Sequence, residues 1–567
     1  MRREPTAIKQ EHQSRRTFVS SAVTGVAAVT MTGRLGGETA RNFPTIAPPA
    51  PGIDFELLEV GIADLQQGMM TGRWTSERLC ELYLERISQL DGAGPTLRQV
   101  LDQNPEARRI AAGLDAERRA GKSRGPLHGV PIVLKDNVAT ADGMTTTAGS
   151  LALVGSRPDR DAFLVERLRA AGAVLLAKTN MSEWANFRST RASSGWSSRG
   201  GQGRNPYALD RTPCGSSSGT GAAVAASFAA AGIGTETDGS ITCPASAEAL
   251  VGLKPTVGLV SRSGIIPISI TQDTAGPIGR TVADVAALLS GITGVDPADA
   301  ATRAAAPRAG ADFLSFLDAD GLRGVRLGVT RAHFTGYHDG TDRLFAQSVE
   351  VLRQLGAVII DPADLPHAGE YDAAEYEVLL HEFKTGLNAY LATLPAGAWP
   401  RTLTELIAFN EREKEQVMPF FGQEILLEAQ SRGPLTSPVY RRALAKCGRL
   451  SRAEGIDAVL VKHRLDALIA PTGNPPWPTD VINGDHFTGS VTTPAAVAGY
   501  PHITVPMGFD HGLPVGLSLF GAAWSDGRLL RYAFAYEQAT RHRRPPQFLP
   551  TADLGAGMEG RRVARPA

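Results

Sequence analysis

Between residues 53 and 120 apolar side chains recur at helical spacing: Leu57, Leu58, Ile62 and Leu65, then Leu79, Leu82, Tyr83, Ile87 and Leu90, with charged residues between them. That periodicity predicts two or three opening helices. The pattern then changes. A short apolar run over 130–134 ends at Lys135-Asp136-Asn137, as expected of a buried strand that delivers a lysine at its C-terminal end. Helical spacing over 163–171 leads into a strand at 173–177, and the glycine-rich stretch 215–221 opens a small-residue helix to about 231, followed by strands at 232–235 and around Leu259 and Val260. A helix over 281–294 and a strand at 325–329 come next. Residues 370–450 read as mostly helical and charged, and strands return at 467–469, 503–505 and 516–520 before a final helix at 529–540. Alternating helices and strands predict an α/β fold. With no internal repeat and no long linker after residue 53, the economical arrangement is one domain over 53–550 carrying a helical insertion at 370–450, a segment placed to shape substrate entry.

Composition narrows the function more than the fold. Hydrophobic residues make up 43% and charged residues 20% of the 567 positions, the balance of a globular enzyme. Lys plus Arg and Asp plus Glu both total 58, so no basic excess points to nucleic acid. The first forty residues differ from the rest: Ser14-Arg15-Arg16-Thr17-Phe18 precedes a small, apolar stretch at 19–31. This is the pattern of a twin-arginine export signal. It predicts a signal and spacer over 1–40, passage through the twin-arginine translocase of a bacterium, and a mature chain in the periplasm or outside the cell, with the fold beginning after the proline-rich 44–51. The apolar run is too short for stable membrane insertion. Of the four cysteines, Cys80, Cys214, Cys243 and Cys447, none fits zinc or CxxC spacing. Four reduced, buried thiols are the favoured reading, and a disulfide between Cys214 and Cys243 is the alternative that an oxidising compartment would permit.

Three segments place polar residues among glycines and apolar residues, where polarity is costly unless used or satisfied: 129–137, 214–220 and 234–245. A lysine held in an apolar setting, as Lys135 is after Pro131-Ile132-Val133-Leu134, has its ammonium destabilised by desolvation and can act as a base near neutral pH. A serine among small residues, Ser240, can serve as nucleophile, and a second serine in 215–219 can relay a proton between the two. Taken singly, Lys135 reads better as a snorkelling surface lysine, and the serines as helix caps or turn formers. The combination carries the chemistry.

These segments resemble the amidase signature family. The family's core motif, approximately Gly-Gly-Ser-Ser-Gly-Gly-Ser, stands here as Cys214-Gly215-Ser216-Ser217-Ser218-Gly219-Thr220, and its nucleophile motif, Gly-Thr-Asp-Thr-Gly-Gly-Ser-Ile-Arg, stands as Gly234-Thr235-Glu236-Thr237-Asp238-Gly239-Ser240-Ile241-Thr242. A Gly-Val-Pro-x-x-x-Lys-Asp segment ends at Lys135-Asp136, and further likeness runs through 173–181, 252–256, 273–277 and 501–508. The resemblance implies a large, mixed, twisted β-sheet flanked by helices. It implies a Ser-Ser-Lys triad of Ser240, Ser216 and Lys135, an oxyanion hole of the amides of Thr237, Asp238, Gly239 and Ser240, support of the bridging serine by Ser217, and no metal or organic cofactor. Asp238 and Thr242 depart from the family's Gly and Arg, which leaves the orienting role of that arginine open. The variant motifs, with Glu183-Trp184-Ala185-Asn186, are similar to the branch of bacterial peptide amidases, so the expected partner is a small-molecule or peptide amide.

Three other readings compete. Gly215-Ser216-Ser217-Ser218-Gly219 matches the G-x-S-x-G nucleophile elbow, with Ser217 central and His502 or His542 as candidate bases, but the residues before it are polar and turn-prone where an elbow needs an apolar strand. A protein like the amidase component of glutamyl-tRNA amidotransferase is a rival within the family, and a periplasmic amide-binding protein is a non-enzymatic one.

Overall fold

The computed structural model describes residues 54–555; the twin-arginine pattern and the apolar stretch after it lie outside them. Thirteen strands occur among the described residues: β1 Val100–Gln103, β2 Pro131–Lys135, β3 Val174–Thr179, β4 Trp196–Ser197, β5 Gly201–Gln202, β6 Ala231–Glu236, β7 Val251–Lys254, β8 Thr274–Gly279, β9 Arg326–Val329, β10 Val358–Ile360, β11 Ala467–Pro471, β12 His502–Asp510 and β13 Leu513–Phe520. β4 and β5 form a small ribbon, and the other eleven make one sheet in the order β1-β3-β2-β6-β8-β7-β12-β13-β11-β9-β10. The sheet is mixed. β2 runs parallel to both β3 and β6, β9 runs parallel to β10 and β11, and the remaining neighbours are antiparallel.

Every residue of β2, β3 and β6 is buried, which is why these strands are apolar or small up to their C-terminal ends, where Lys135, Lys178-Thr179 and Thr235-Glu236 stand. Pro131 opens β2, a position where the missing N–H is tolerated. Helices pack against the sheet, with Val282–Ile292 on β8 and Asp526–Thr540 on β12. Their apolar sides join the strands in one large core containing Leu57, Leu79, Val133, Leu176, Leu253 and Tyr536.

Several expectations need correction. Leu259 and Val260 are not in a strand: the sheet uses Val251–Lys254, and Val260 makes only an isolated bridge to Val257. The small-residue helix is shorter than expected, Ser218–Ala225. It is followed by a turn in which Ser227 takes a positive φ of 58° before β6 begins at Ala231. The stretch 370–450 is helical as expected, with Asp372–Ala392, Leu403–Arg412, Lys414–Val417, Glu424–Ser431 and Pro438–Gly448. Leu380, Phe383, Leu387 and Leu391 of the first of these helices pack on Trp184, Ile266 and Ile268. Those contacts bring this helix against loops that leave the sheet near Lys135.

Candidate active site

Lys135 is the last residue of β2 and is fully buried. Its ammonium nitrogen donates to the Ser216 hydroxyl at 2.8 Å, to the Thr235 hydroxyl at 3.0 Å and to the Thr235 carbonyl at 3.1 Å. No ion pair reaches it among the described residues. Burial therefore drives its pKa down to about 7, against the opposing pull of the Asp273 and Glu236 carboxylates. Two other buried lysines lack this arrangement. Lys178 donates to the Val138 carbonyl at 2.5 Å and the Thr146 hydroxyl at 2.7 Å, and Lys254 to the Pro255 carbonyl at 3.3 Å. Of these three, Lys135 alone meets a serine.

Ser216 follows Gly215 across a cis peptide bond and is buried. The Ser217 amide donates to the Ser240 carbonyl at 3.1 Å, which fixes the two serine segments side by side. The Ser217 hydroxyl donates to the Thr235 carbonyl at 3.1 Å and accepts from the Thr235 amide at 3.2 Å. Ser217 thus braces Thr235, which in turn holds Lys135, rather than hydrogen-bonding Ser216 as the motif implied. The same commitment removes Ser217 as an elbow nucleophile. His502 is likewise engaged elsewhere, its Nε2 lying 2.6 Å from Ser518 Oγ, with its pKa pushed down to about 3 by burial and by Lys254.

Ser240 keeps 8% exposure. Among the described residues its hydroxyl has no hydrogen-bond partner, Ser216 included, so Lys135 and Ser216 are joined directly while Ser240 stands beside them with its side chain free. The loop before it turns at Gly239, whose φ of +75° lies in the left-handed region. Among the described residues, none of the main-chain N–H groups of Thr237, Asp238, Gly239 and Ser240 donates to a protein acceptor. Four unpaired donors on one turn beside a serine can receive an oxyanion. Asp238, the first departure from the motif, accepts from the Thr493 hydroxyl at 2.7 Å. Burial pushes its carboxyl up to about 6, and Glu236 and Asp372 add to that while Thr492 and Thr493 oppose it.

Four functional neighbours are not singled out by the sequence. Thr235 bonds both Lys135 and Ser217, and Asn137 donates to the Thr235 hydroxyl at 2.9 Å. Asp273 accepts from the Thr237 hydroxyl at 2.6 Å and from the amides of Ile268 and Ser269. Glu236 accepts from the amides of Ile241 and Thr242. The available signal is a polar residue at a strand end within two positions of a motif residue. A cavity of about 390 Å³ opens beside these groups, with Asn137, Thr235 and Thr237 on one side and Ile266, Ile268 and Tyr390 on the other. A further correction concerns the thiols: Cys214 and Cys243 are joined in a disulfide, and only Cys80 and Cys447 are free and buried. Among the described residues no cluster of His, Cys, Asp and Glu could hold a metal ion.

A buried lysine on a serine, with a second serine at a turn of free amides, on a mixed sheet of this order, defines an amidase-type hydrolase, and the chain belongs to the amidase family, whose model (Amidase) matches residues 78–530. Among solved structures, the native peptide amidase of Stenotrophomonas maltophilia superposes with a TM-score of 0.84 at 53% identity, covering 87% of this chain and 99% of that one. A probable amidase of Arabidopsis thaliana is 42% identical over 507 residues, covering 87% of this chain and 93% of its own. A glutamyl-tRNA(Gln) amidotransferase component of Chloroflexus aurantiacus is 36% identical over 504 residues, covering 87% of this chain and 99% of its own.

Proposed function

We propose that this protein hydrolyses the terminal carboxamide of peptide amides through an acyl-enzyme on Ser240. The observation that carries the reading is the 2.8 Å bond from Lys135 to Ser216, made by an amine whose pKa lies at about 7. Such an amine is partly neutral at physiological pH and can take a proton. As substrate enters, the free Ser240 hydroxyl turns onto Ser216. Ser240 Oγ then attacks the carbonyl carbon while its proton passes to Ser216 and the Ser216 proton passes to Lys135. The amides of residues 237–240 hold the oxyanion. The proton returns along the same path to the departing nitrogen, the C–N bond breaks, ammonia leaves, and water activated by the same relay cleaves the ester to free the acid.

A peptide amide as substrate is supported by the likeness to the Stenotrophomonas enzyme and by the apolar wall of Ile266, Ile268 and Tyr390, which suits the side chain of a peptide residue. A second reading, glutamine hydrolysis within a transfer-RNA amidotransferase, is favoured by the likeness to the Chloroflexus protein. Ammonia release measured over peptide amides, aliphatic amides, aryl amides and glutamine separates the two. We expect blocked apolar peptide amides to lead by at least about tenfold in kcat/KM. A lead by glutamine or short aliphatic amides overturns the substrate assignment. A fluorophosphonate probe should label Ser240 in the folded protein and not in Ser240→Ala, and no adduct on Ser240 would favour an amide-binding protein.

We also propose that the chain works outside the cytoplasm, in the periplasm or beyond. The Arg15-Arg16 pattern and the Cys214–Cys243 disulfide support this, since disulfides persist in oxidising compartments. Arg15→Lys with Arg16→Lys should hold the protein in the cytoplasmic fraction of an expressing bacterium, and unchanged fractionation overturns the export reading.

A further inference from the structure

The nucleophile loop raises a question that the proposed triad does not answer: what keeps four amides in a row without a protein acceptor among the described residues. Left to itself, a glycine-containing turn relaxes to satisfy its own donors. Glu236 is the last residue of β6 and is 1% exposed. Its Oε2 accepts from the Ile241 amide at 2.7 Å, from the Thr242 amide at 2.9 Å and from the Thr242 hydroxyl at 3.2 Å, while Oε1 is buried without a hydrogen-bond partner among the described residues. The residue just before the loop therefore grips the two residues just after Ser240. Thr237 to Asp273, Asp238 to Thr493 and the Ser240 carbonyl to the Ser217 amide hold the loop from outside, and the Gly239 carbonyl accepts locally from the Cys243 amide at 2.8 Å. The Glu236 bonds differ in running from the residue before the loop to the residues after Ser240, so that they span all of 237–240.

We propose that Glu236 is a positioning residue for the reaction, its carboxylate clamping residues 241 and 242 to the end of β6 so that the amides of 237–240 stay directed at the reacting carbonyl. This rests on Ser240 being the nucleophile. Two of the three departures from the family motif over 234–242 belong together: residue 236 is one methylene longer than the motif's aspartate, and residue 242 is a threonine that donates to it where the motif has arginine. The carboxylate also faces charge. Lys135 and Lys254 lie near enough to feel it, and Asp238 stands on the same loop. Asp273, just before β8, is the other carboxylate that Lys135 feels.

Geometry and charge separate by substitution. In Glu236→Gln a carbonyl oxygen can still accept from residues 241 and 242 while the charge is gone. In Glu236→Ala the clamp itself is gone. Using ammonia release from a blocked apolar dipeptide amide and the rate of fluorophosphonate labelling, we expect Glu236→Ala to lose about 100-fold or more in kcat, with KM changed only a few-fold and labelling slowed in parallel. Glu236→Gln should lose about tenfold less than that, and the acid limb of its kcat/KM profile should move to lower pH, because removing a nearby anion lowers the pKa of Lys135. Thr242→Val, which deletes one donor, should lose only a few-fold. The proposal is overturned if folded Glu236→Ala stays within about threefold of wild type in kcat, or if Glu236→Gln loses as much as Glu236→Ala. Should Glu236→Ala unfold, Glu236→Met, which keeps the side-chain bulk without an acceptor, takes its place in the comparison with Glu236→Gln, and the same two outcomes support or overturn the proposal. Failure of the nucleophile assignment is distinguishable, because wild-type protein would then show no adduct on Ser240.

Discussion

An amine in an apolar interior faces a choice between shedding its proton and finding an anion, and Lys135 has no anion in contact among the described residues. Its partners are two hydroxyls and a carbonyl, groups among which a neutral amine can also bond. Catalysis and stability therefore respond to pH in linked ways. Under the proposed role of Lys135 as a base, which requires it uncharged, kcat/KM should rise with pH through about 7, the value to which burial lowers Lys135, and level off above it. Lys135→Ala should cost several orders of magnitude at neutral pH, with partial recovery in alkaline solution, and a loss of only a few-fold would remove Lys135 as the base. The folded pKa of about 7 lies below the ordinary 10.5, so between those values the unfolded chain binds more protons and stability rises with pH. Below pH 7 the fold bears the penalty, roughly 5 kcal/mol from that difference, which exceeds the ~3 kcal/mol of the three hydrogen bonds lost on substitution at ~1 kcal/mol each. Lys135→Met should accordingly unfold at higher urea concentration than wild type at pH 7, with the advantage shrinking toward pH 10; an advantage that is absent at pH 7 would mean the amine is not desolvated.

At the scale of elements, the helix Ser218–Ala225 decides whether Ser216 reaches Lys135. Its residues are small and all buried, which lets its first turn lie against the end of β3. A Cβ on Gly219 would stand 2.3 Å from the Asn180 carbonyl oxygen, 2.6 Å from the Asn180 nitrogen and 2.8 Å from the Gln99 carbonyl oxygen. All are main-chain atoms that cannot swing aside. Gly219→Ala should push the helix start away, carrying Ser216 and Ser217 with it, and lower kcat at least about 100-fold with a stability loss of roughly 1–3 kcal/mol. At Gly221 a Cβ would instead meet the Glu248 Oε2 at 2.0 Å, a side-chain atom, so Gly221→Ala should be rescued by Glu248→Ala where Gly219→Ala is not. Urea unfolding and kcat on the three variants check this, and a Gly219→Ala enzyme within about twofold of wild type would refute the helix as the part that sets the relay. The same elements show what sequence can tell. β2, β3 and β6 are visible because strands buried on both faces are mostly apolar or small; Lys135 is visible because it ends such a run, and Ser216 and Ser240 because they stand in short glycine-rich segments that match a family motif. β8 is not: Thr274-Ala275-Gly276-Pro277-Ile278-Gly279 carries glycines and a proline, which ordinarily argue against a central strand. The reason lies across the sheet, where a Cβ on Gly276 would meet the Leu253 carbonyl oxygen at 2.1 Å. Thr235 and Glu236 escape notice for a related reason, since they bond main-chain groups whose positions only the folded loops define.

For the whole molecule, the disulfide is where chain connectivity and location meet. Cys214 and Cys243 are 29 residues apart in sequence, and the segment between them contains Ser216, Ser217, the small-residue helix, β6, the loop 237–240 and Ser240. One covalent link thus encloses most of the candidate site. Spacing could not reveal it, because the pairing depends on β6 carrying the chain back beside its starting point. Closing a loop of this length restricts the unfolded chain by roughly 3–4 kcal/mol in the chain-entropy view, while the folded site is already tied by the bonds of Thr235, Ser217 and Glu236. Stability and activity should therefore separate. Cys214→Ser with Cys243→Ser, or treatment with a strong reductant, should lower the urea midpoint by an amount matching that stabilisation. At 25 °C and low denaturant, kcat on a peptide amide should stay within about threefold, because the relay and the free amides are held by hydrogen bonds rather than by the sulfurs. Thiol titration of the unfolded wild type under non-reducing conditions should give two free thiols, from Cys80 and Cys447, and four after reduction. If the double variant keeps the wild-type midpoint, the bond contributes nothing to the fold. If it instead loses activity while still folded, the disulfide itself shapes the loop, and the clamp at Glu236 is insufficient without it.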